Sequence, residues 1–353
     1  MTDTHAIAGV PMKWVGPVRI SGNVAETETH VPLATYETPL WPSVGRGAKV
    51  SRLAEKGIVA TLVDERMTRS VLVEATDAQT AYTAARAIEA RIDELRDVVR
   101  AGSRFAQLLA IRHEINANLL FLRFEFSTGD ASGHNMATLA SEALLTHLLQ
   151  TIPGISYGSI SGNYCSDKKA TAINGILGRG KNVVTEILIP RDVVTGTLHT
   201  TAAKVVELNI RKNLLGTLLA GGLRSANAHY ANMLLAFYLA TGQDAANIVE
   251  GSQGVTMAED RDGDLYFACT LPNLIVGTVG NGKGLGFVET NLTRLGCKAD
   301  REPGENARRL AVIGAATVLC GELSLLAAQT NPGELMRSHI QLERDNKTAK
   351  VGV

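Results

Sequence analysis

Leu119-Leu120-Phe121-Leu122-Arg123-Phe124-Glu125-Phe126 is the stretch on which the fold turns. Leu120, Leu122, Phe124 and Phe126 fall on one face, and Leu119, Phe121, Arg123 and Glu125 on the other. A period of two marks a strand with one face in a core. Asn116-Ala117-Asn118 is turn-prone, and Leu108 to Ile115 reads as the strand before it. Further back, Asp77 to Val98 spaces Ala81, Ala84, Ala85, Ile88, Ile92 and Leu95 at helical intervals, after a short strand Val71-Leu72-Val73-Glu74. In the other direction, Asn135 to Thr151 reads as a helix and Ile155 to Ile160 as a strand. Strand, helix, strand, strand, helix, strand is the order of a ferredoxin-like split βαβ unit. Its flanks carry unrelated patterns. The expectation is therefore an α+β fold in which a small domain, residues 70–160, is inserted into a larger one made of 1–69 and 161–353.

The larger part reads as mostly helical. Residues 1–30 show little pattern and carry turn signals at Gly9, Gly16-Pro17 and Gly22-Asn23. Asn182 to Pro190 is an apolar strand containing Glu186, followed by helix from Thr197 to Gly221-Gly222. Ala226 to Ala240 reads as a helix that puts His229 and Asn232, three apart, on one face. Two short strands, Gly254 to Ala258 and Leu265 to Leu271, precede the glycine-dense run Gly277 to Gly286. That run permits close backbone approach to a ligand, but it is not a G-x-G-x-x-G fingerprint. A long Ala-, Leu- and Val-rich helix runs from Pro303-Gly304-Glu305-Asn306 to about Gln329, and the polar tail from Glu343 to Val353 is expected to fray.

Composition narrows the function. With 353 residues, 45% hydrophobic and 20% charged, the chain carries enough apolar sequence for a sizeable core and more than one domain. Thirty-five basic residues balance 35 acidic ones and no basic arm appears, which argues against nucleic acid as a partner. Cys165, Cys269, Cys297 and Cys320 are far apart, so neither a zinc site nor a disulfide framework is signalled. No signal peptide is evident at Met1 to Val10, and polar residues break the apolar runs short of the roughly 20 needed to span a bilayer. A reducing, cytoplasmic setting without a membrane anchor or metal is the default.

Ser161-Gly162-Asn163-Tyr164-Cys165-Ser166-Asp167-Lys168-Lys169 is the most polar internal segment. On its own it reads as a solvated loop. Adjacent lysines need solvent or a partner anion, and other isolated charges lie in apolar or glycine-rich surroundings: Glu37, Arg69, Lys212, Asp244 and His339. The loop Ser43-Val44-Gly45-Arg46-Gly47 offers backbone N–H groups and a guanidinium to an anion.

Taken in order, these segments resemble the 3-hydroxy-3-methylglutaryl-CoA reductase family, in its eukaryotic-type form, from about Val15 to His339. The resemblance is carried by Pro32-Leu33-Ala34-Thr35-Tyr36-Glu37, Met67-Thr68-Arg69, Thr128-Gly129-Asp130-Ala131 with Asn135-Met136, and Ser161 to Lys169. It continues through Val206 to Gly216, Asn227-Ala228-His229-Tyr230-Ala231-Asn232, Gly242-Gln243-Asp244-Ala245-Ala246, Gly277-Thr278-Val279-Gly280, Pro303 to Arg308 and Ser338-His339. Thr38-Pro39, Ser132, His134 and the run Gly280-Asn281-Gly282-Lys283 depart from the pattern.

The resemblance implies a two-step, four-electron reduction of 3-hydroxy-3-methylglutaryl-CoA to mevalonate and CoA. Lys168 would stabilise the charge that each hydride delivery puts on a carbonyl oxygen. Glu37 beside Asp244 would supply a proton, with Asp244 equally able to pair with Lys168. His339 would protonate the CoA thiolate. Arg69, Ser161, Lys169 and Lys212 would hold the substrate carboxylate, Asp167 would orient the lysines, and Asn163 belongs to the same loop. Ser43 and Arg46 would meet CoA phosphates, and His229 and Asn232 would line the pocket. Asp130, Asn135 and Gly277-Thr278-Val279-Gly280 would hold the dinucleotide, with Ser103-Arg104-Phe105 at a 2′-phosphate, which favours NADPH over NADH. A homodimer or dimer of dimers with active sites at subunit interfaces is implied. Two other readings stay open: an NAD-dependent enzyme working oxidatively on mevalonate, and a non-catalytic acyl-CoA-binding relative.

Overall fold

The computed structural model describes residues 8–334 together with Met336 and Ile340. Among the described residues nine strands run in chain order: β1 (Met12–Gly22), β2 (Thr27–Ala34), β3 (Ile58–Ala75), β4 (Gln107–Asn116), β5 (Leu119–Ser127), β6 (Ile155–Ser159), β7 (Gly180–Ile189), β8 (Val255–Arg261) and β9 (Asp264–Leu274). The helices needed below are α1 (Leu40–Leu53), α2 (Ala78–Ala90), α3 (Ile92–Gly102) and α4 (His134–Thr151). Two further helices, Tyr230–Ala240 and Glu305–Gln329, are identified by their residues. The strand path is β2-β1-β3-β7-β9-β8, with β5 and β6 flanking β3 and β4 beyond β5.

β3 is the hinge of this topology. Val59 to Arg66 pair antiparallel with β7, and Met67 to Glu74 pair antiparallel with β5. One continuous strand thus serves two sheets, and position 70 lies in its middle. Two hydrophobic clusters follow the same division. One gathers Met67, the even-numbered side chains Leu120 to Phe126 of β5, and residues of α2, α3 and α4. The other is built around Glu305–Gln329.

That long helix is buried almost all round, with 94% of its most apolar window inside the protein. By length and hydropathy it is long enough to cross a bilayer, which the sequence reading of broken apolar runs did not expect. Its burial matches a core helix, hydrophobic on all faces because every face is covered. α1 crosses it closely: a Cβ on Gly47 would come within 2.2 Å of the Cys320 carbonyl oxygen, so only glycine fits.

Other elements differ from expectation. The part outside residues 70–160 contains β1, β2, β7, β8, β9 and the first two thirds of β3 as well as its helices. β1 includes Gly16-Pro17, which sits where the register shifts between Val15 and Val18 and so looks like a turn in sequence. The single helix expected over Asp77 to Val98 is two, broken at Arg91. Tyr230 begins its helix, and His229 lies just before it with φ −160°. Lys212 falls in an eight-residue π-helical stretch, Asn209–Gly216.

Candidate active site

The loop from Ser161 to Lys169 is folded into a specific shape. Asn163, Ser166 and Lys168 all have φ between 50° and 59°. Three non-glycine residues in the left-handed region within six positions are strained unless the surroundings hold them. The surroundings do so with buried charge. The Arg123 guanidinium of β5, wholly buried, donates to Tyr164 O at 3.2 Å, Asn174 Oδ1 at 3.1 Å and Gly178 O at 2.6 Å. Asn174 Nδ2 donates to Ser166 O at 3.0 Å. Arg179 pairs with Asp167 at 2.8 Å and with buried Glu250 at 2.9 Å. Glu250 Oε1 also accepts the Lys168 amide at 3.1 Å. Cys165 points into the protein and is 1% exposed.

Held this way, the Lys168 ammonium meets the Asp244 carboxylate at 2.8 Å, both side chains being partly open to solvent. Their hydrogen bond raises the lysine above its ordinary pKa and keeps it protonated. Burial pushes the Asp244 carboxyl up, but Lys168 and the Ala246 amide outweigh it, and the carboxyl lies below its usual range. The pair borders a cavity of about 490 Å³, also lined by Arg69, Ser132, His134, Asn135, Asp167, Val279, Gly280, Asn281 and Lys283. The cavity lies where loops of the two cores meet. A Cβ on Gly277 would come within 2.3 Å of the Ser132 amide, and Thr278 N donates to Asp130 O at 2.8 Å.

His134, the first residue of α4, brings an imidazole to 3.8 Å from Asp167 Oδ1. Burial, reinforced by Arg179 and Lys168, lowers it to about 4 despite Asp167, so it is neutral at ordinary pH. Arg69 donates from Nε to Ile160 O at 3.2 Å, and Lys169 Nζ to Asp167 O at 3.1 Å. Ser161 and Asn163 stand exposed on the same loop. Asp130 does not face this cavity with its carboxylate: Oδ1 accepts the Ala307 amide at 2.9 Å, capping the helix Glu305–Gln329.

The remaining anticipated residues gather elsewhere, around Glu322 and Ser324 of that helix. Buried Glu322 accepts the amides of Ala228 and His229 at 2.6 and 3.0 Å. The His229 ring contacts Gly321 O at 3.0 Å, and Asn232 lies 3.4 Å from the ring's other nitrogen. Burial lowers the Lys212 pKa, with Glu322 opposing. Ser43 and Arg46 reach Ser324 Oγ at 3.1 and 3.0 Å, and Arg46 pairs with Glu334 at 2.8 Å. Glu37 is exposed between β2 and α1, its amide on Thr35 Oγ1. Asp244 is bonded by Lys168 and the Ala246 amide, not by Glu37. Ser103 ends α3 and Ser103 Oγ accepts the Phe105 and Ala106 amides; Arg104 lies over the Phe105 ring at 5.6 Å, and both are exposed. His339 lies outside the described residues.

Arg123, Arg179, Glu250, His134 and Lys283 were not singled out as site residues from sequence. The available signal was Arg123 and Glu125 inside an apolar strand, where charge is expensive unless paired. No group of three or more His, Cys, Asp or Glu side chains among the described residues is arranged to hold a metal.

The family described as hydroxymethylglutaryl-coenzyme A reductase matches residues 4–344. The 3-hydroxy-3-methylglutaryl-coenzyme A reductase of Pyrococcus horikoshii is 43% identical over 342 residues, covering 96% of this chain and 82% of that one. That of Aeropyrum pernix is 44% identical over 337 residues, covering 95% and 79%. Among solved structures, the class II 3-hydroxy-3-methylglutaryl-CoA reductase of Streptococcus pneumoniae bound to NADPH shares the fold, with a TM-score of 0.73 at 19% identity over 94% of this chain and 88% of that one. The chain belongs to the hydroxymethylglutaryl-coenzyme A reductase family. It is an enzyme of that class, reducing 3-hydroxy-3-methylglutaryl-CoA to mevalonate and CoA.

Proposed function

We propose that this reduction takes place in the cavity beside Lys168 and Asp244, with NADPH as the hydride donor. The observation that carries the reading is the Lys168–Asp244 contact at the edge of a cavity large enough for a nicotinamide and an acyl group. The cavity fits such a cofactor: Gly280 on its wall, with open space where a side chain would sit, allows close approach, and the buried His134 Nε2 has no hydrogen-bond partner. A dinucleotide bound here would supply one hydride, and after the oxidised cofactor leaves a second reduced dinucleotide would supply the other.

The chain's own residues do the rest. The Lys168 ammonium, held charged by Asp244, stabilises the oxyanion left when hydride adds to the thioester carbon. Collapse of the hemithioacetal breaks the C–S bond and releases CoA thiolate, which His339 protonates. The aldehyde accepts a second hydride, and its oxygen takes a proton to become the mevalonate hydroxyl. Glu37 is our donor for that proton. Arg69, Ser161 and Lys169 hold the substrate carboxylate, with Asn163 and Asp167 shaping the loop.

Glu37, Lys212, His229, Asn232, Ser43 and Arg46 do not line the cavity beside Lys168. We therefore propose that a second copy completes each site, bringing these groups across a two-fold interface. Residues 70–160 act as an inserted ferredoxin-like domain carrying the dinucleotide; the strand order β6-β3-β5-β4 and a separate core support this. Ser103-Arg104-Phe105, exposed after α3, would meet the 2′-phosphate. Four buried, free cysteines are consistent with a reducing cytoplasm. The deciding assay follows oxidation of each reduced nicotinamide with 3-hydroxy-3-methylglutaryl-CoA. Faster turnover with NADPH is expected, and a strong preference for NADH would instead favour the oxidative, mevalonate-consuming reading.

A further inference from the structure

Lys283 is a buried cation without a counter-ion. It lines the 490 Å³ cavity yet is only 6% exposed. Its ammonium donates to the carbonyl oxygens of Gly242 and Asn281, and among the described residues no carboxylate stands within ion-pair distance of it. Buried charges are ordinarily paired or bound to an ion, because carbonyl dipoles alone do not replace lost hydration. The position is enforced by backbone. A Cβ on Gly242 would fall 2.5 Å from Gly282 O, so the glycine-rich loop lies directly on the turn that carries Asp244.

We propose that Lys283 is a cofactor-binding residue whose missing counter-ion is the diphosphate bridge of the nicotinamide dinucleotide. The inference rests on the reading of this cavity as the dinucleotide site. It gives the departure Asn281-Gly282-Lys283 a purpose: the chain places a point charge where backbone N–H groups would otherwise work alone. Burial, with Lys298 nearby and Asp244 opposing, brings the ammonium down to about 8. A group with a lowered pKa loses its charge first as pH rises, so dinucleotide affinity should fall above about pH 8, later once bound phosphate steadies the charge.

The test is equilibrium binding of NADPH and of NADH, read by fluorescence of the reduced nicotinamide, to wild type, Lys283→Met and Lys283→Arg, each with a melting curve. Lys283→Met should weaken both dinucleotides by the same factor, roughly 10- to 100-fold. Lys283→Arg should recover most of the affinity. Unchanged affinity in Lys283→Met overturns the proposal. Loss confined to NADPH would move Lys283 to the 2′-phosphate and overturn the diphosphate assignment. Equal loss in both variants with a lowered melting temperature would mean a structural pin. If wild type itself binds neither dinucleotide, the reading of the cavity fails first.

Discussion

Arg179 and Glu250 form an ion pair at 2.9 Å, and both side chains are almost fully buried beneath the loop that carries Lys168. The pair positions that loop from both sides: Arg179 holds Asp167, and Glu250 accepts the Lys168 amide. Lys168 is therefore aimed by charges buried beneath its own loop.

Removing one partner exposes that dependence. Arg179→Met leaves Glu250 and Asp167 without their cation. Stability should fall by about 3–5 kcal/mol, the usual result of orphaning a buried charge. Chemical denaturation measures it, and a loss under about 1 kcal/mol would mean that water enters and solvates the site.

Lys168→Ala removes the ammonium from a partly open position, so the fold should persist while turnover drops roughly 10²- to 10³-fold or more. Circular dichroism and the steady-state rate separate the two. Near-normal turnover would take Lys168 out of the mechanism.

The separation of Glu37 from Lys168 predicts complementation. Lys168→Ala and Glu37→Gln should each be nearly inactive alone. Mixed dimers would contain one intact site, restoring about a quarter of wild-type activity if subunits assort randomly. No recovery after confirmed subunit exchange would place both groups in the same chain's site.

His134 makes stability depend on acid. Its folded pKa, about 4, lies below the ordinary 6.5 of histidine. Between those values the unfolded chain binds the proton and the folded one does not, so the histidine's stabilising share is whole above 6.5 and declines as pH falls towards 4. The slope is at most about 1.4 kcal/mol per pH unit. His134→Gln should flatten the profile of melting temperature between pH 7 and 5; an unchanged slope would assign the acid sensitivity to other groups.

How much of this the sequence discloses depends on the range of the interaction. The alternation of Leu120 to Phe126 reports a local period, and it placed β5 and its neighbours correctly. Arg91 breaks a helix with no proline or glycine to announce it, because α2 and α3 keep one apolar periodicity across the break. β3 was legible only at Val71 to Glu74. Its first half carries Glu65 and Arg66, whose partners Lys181, Arg308 and Glu125 come from three other elements. The site divides similarly. Lys168 and Asp244 stand out as charges in apolar or glycine-rich sequence. Arg179 and Glu250 look ordinary there, because what makes them unusual is burial, and burial comes from 71 residues away.

A single backbone runs through both sheets at β3, and this sets the mechanical character of the molecule. Met67 to Arg69 couple the two cores as a girder couples two spans. Movement of the sheet paired through β5 against the one paired through β7 strains this strand, since bending there would tear the hydrogen-bond ladder on one side or the other. Amide exchange at these three positions should accordingly be slow, released when the pairing of β3 with β5 opens.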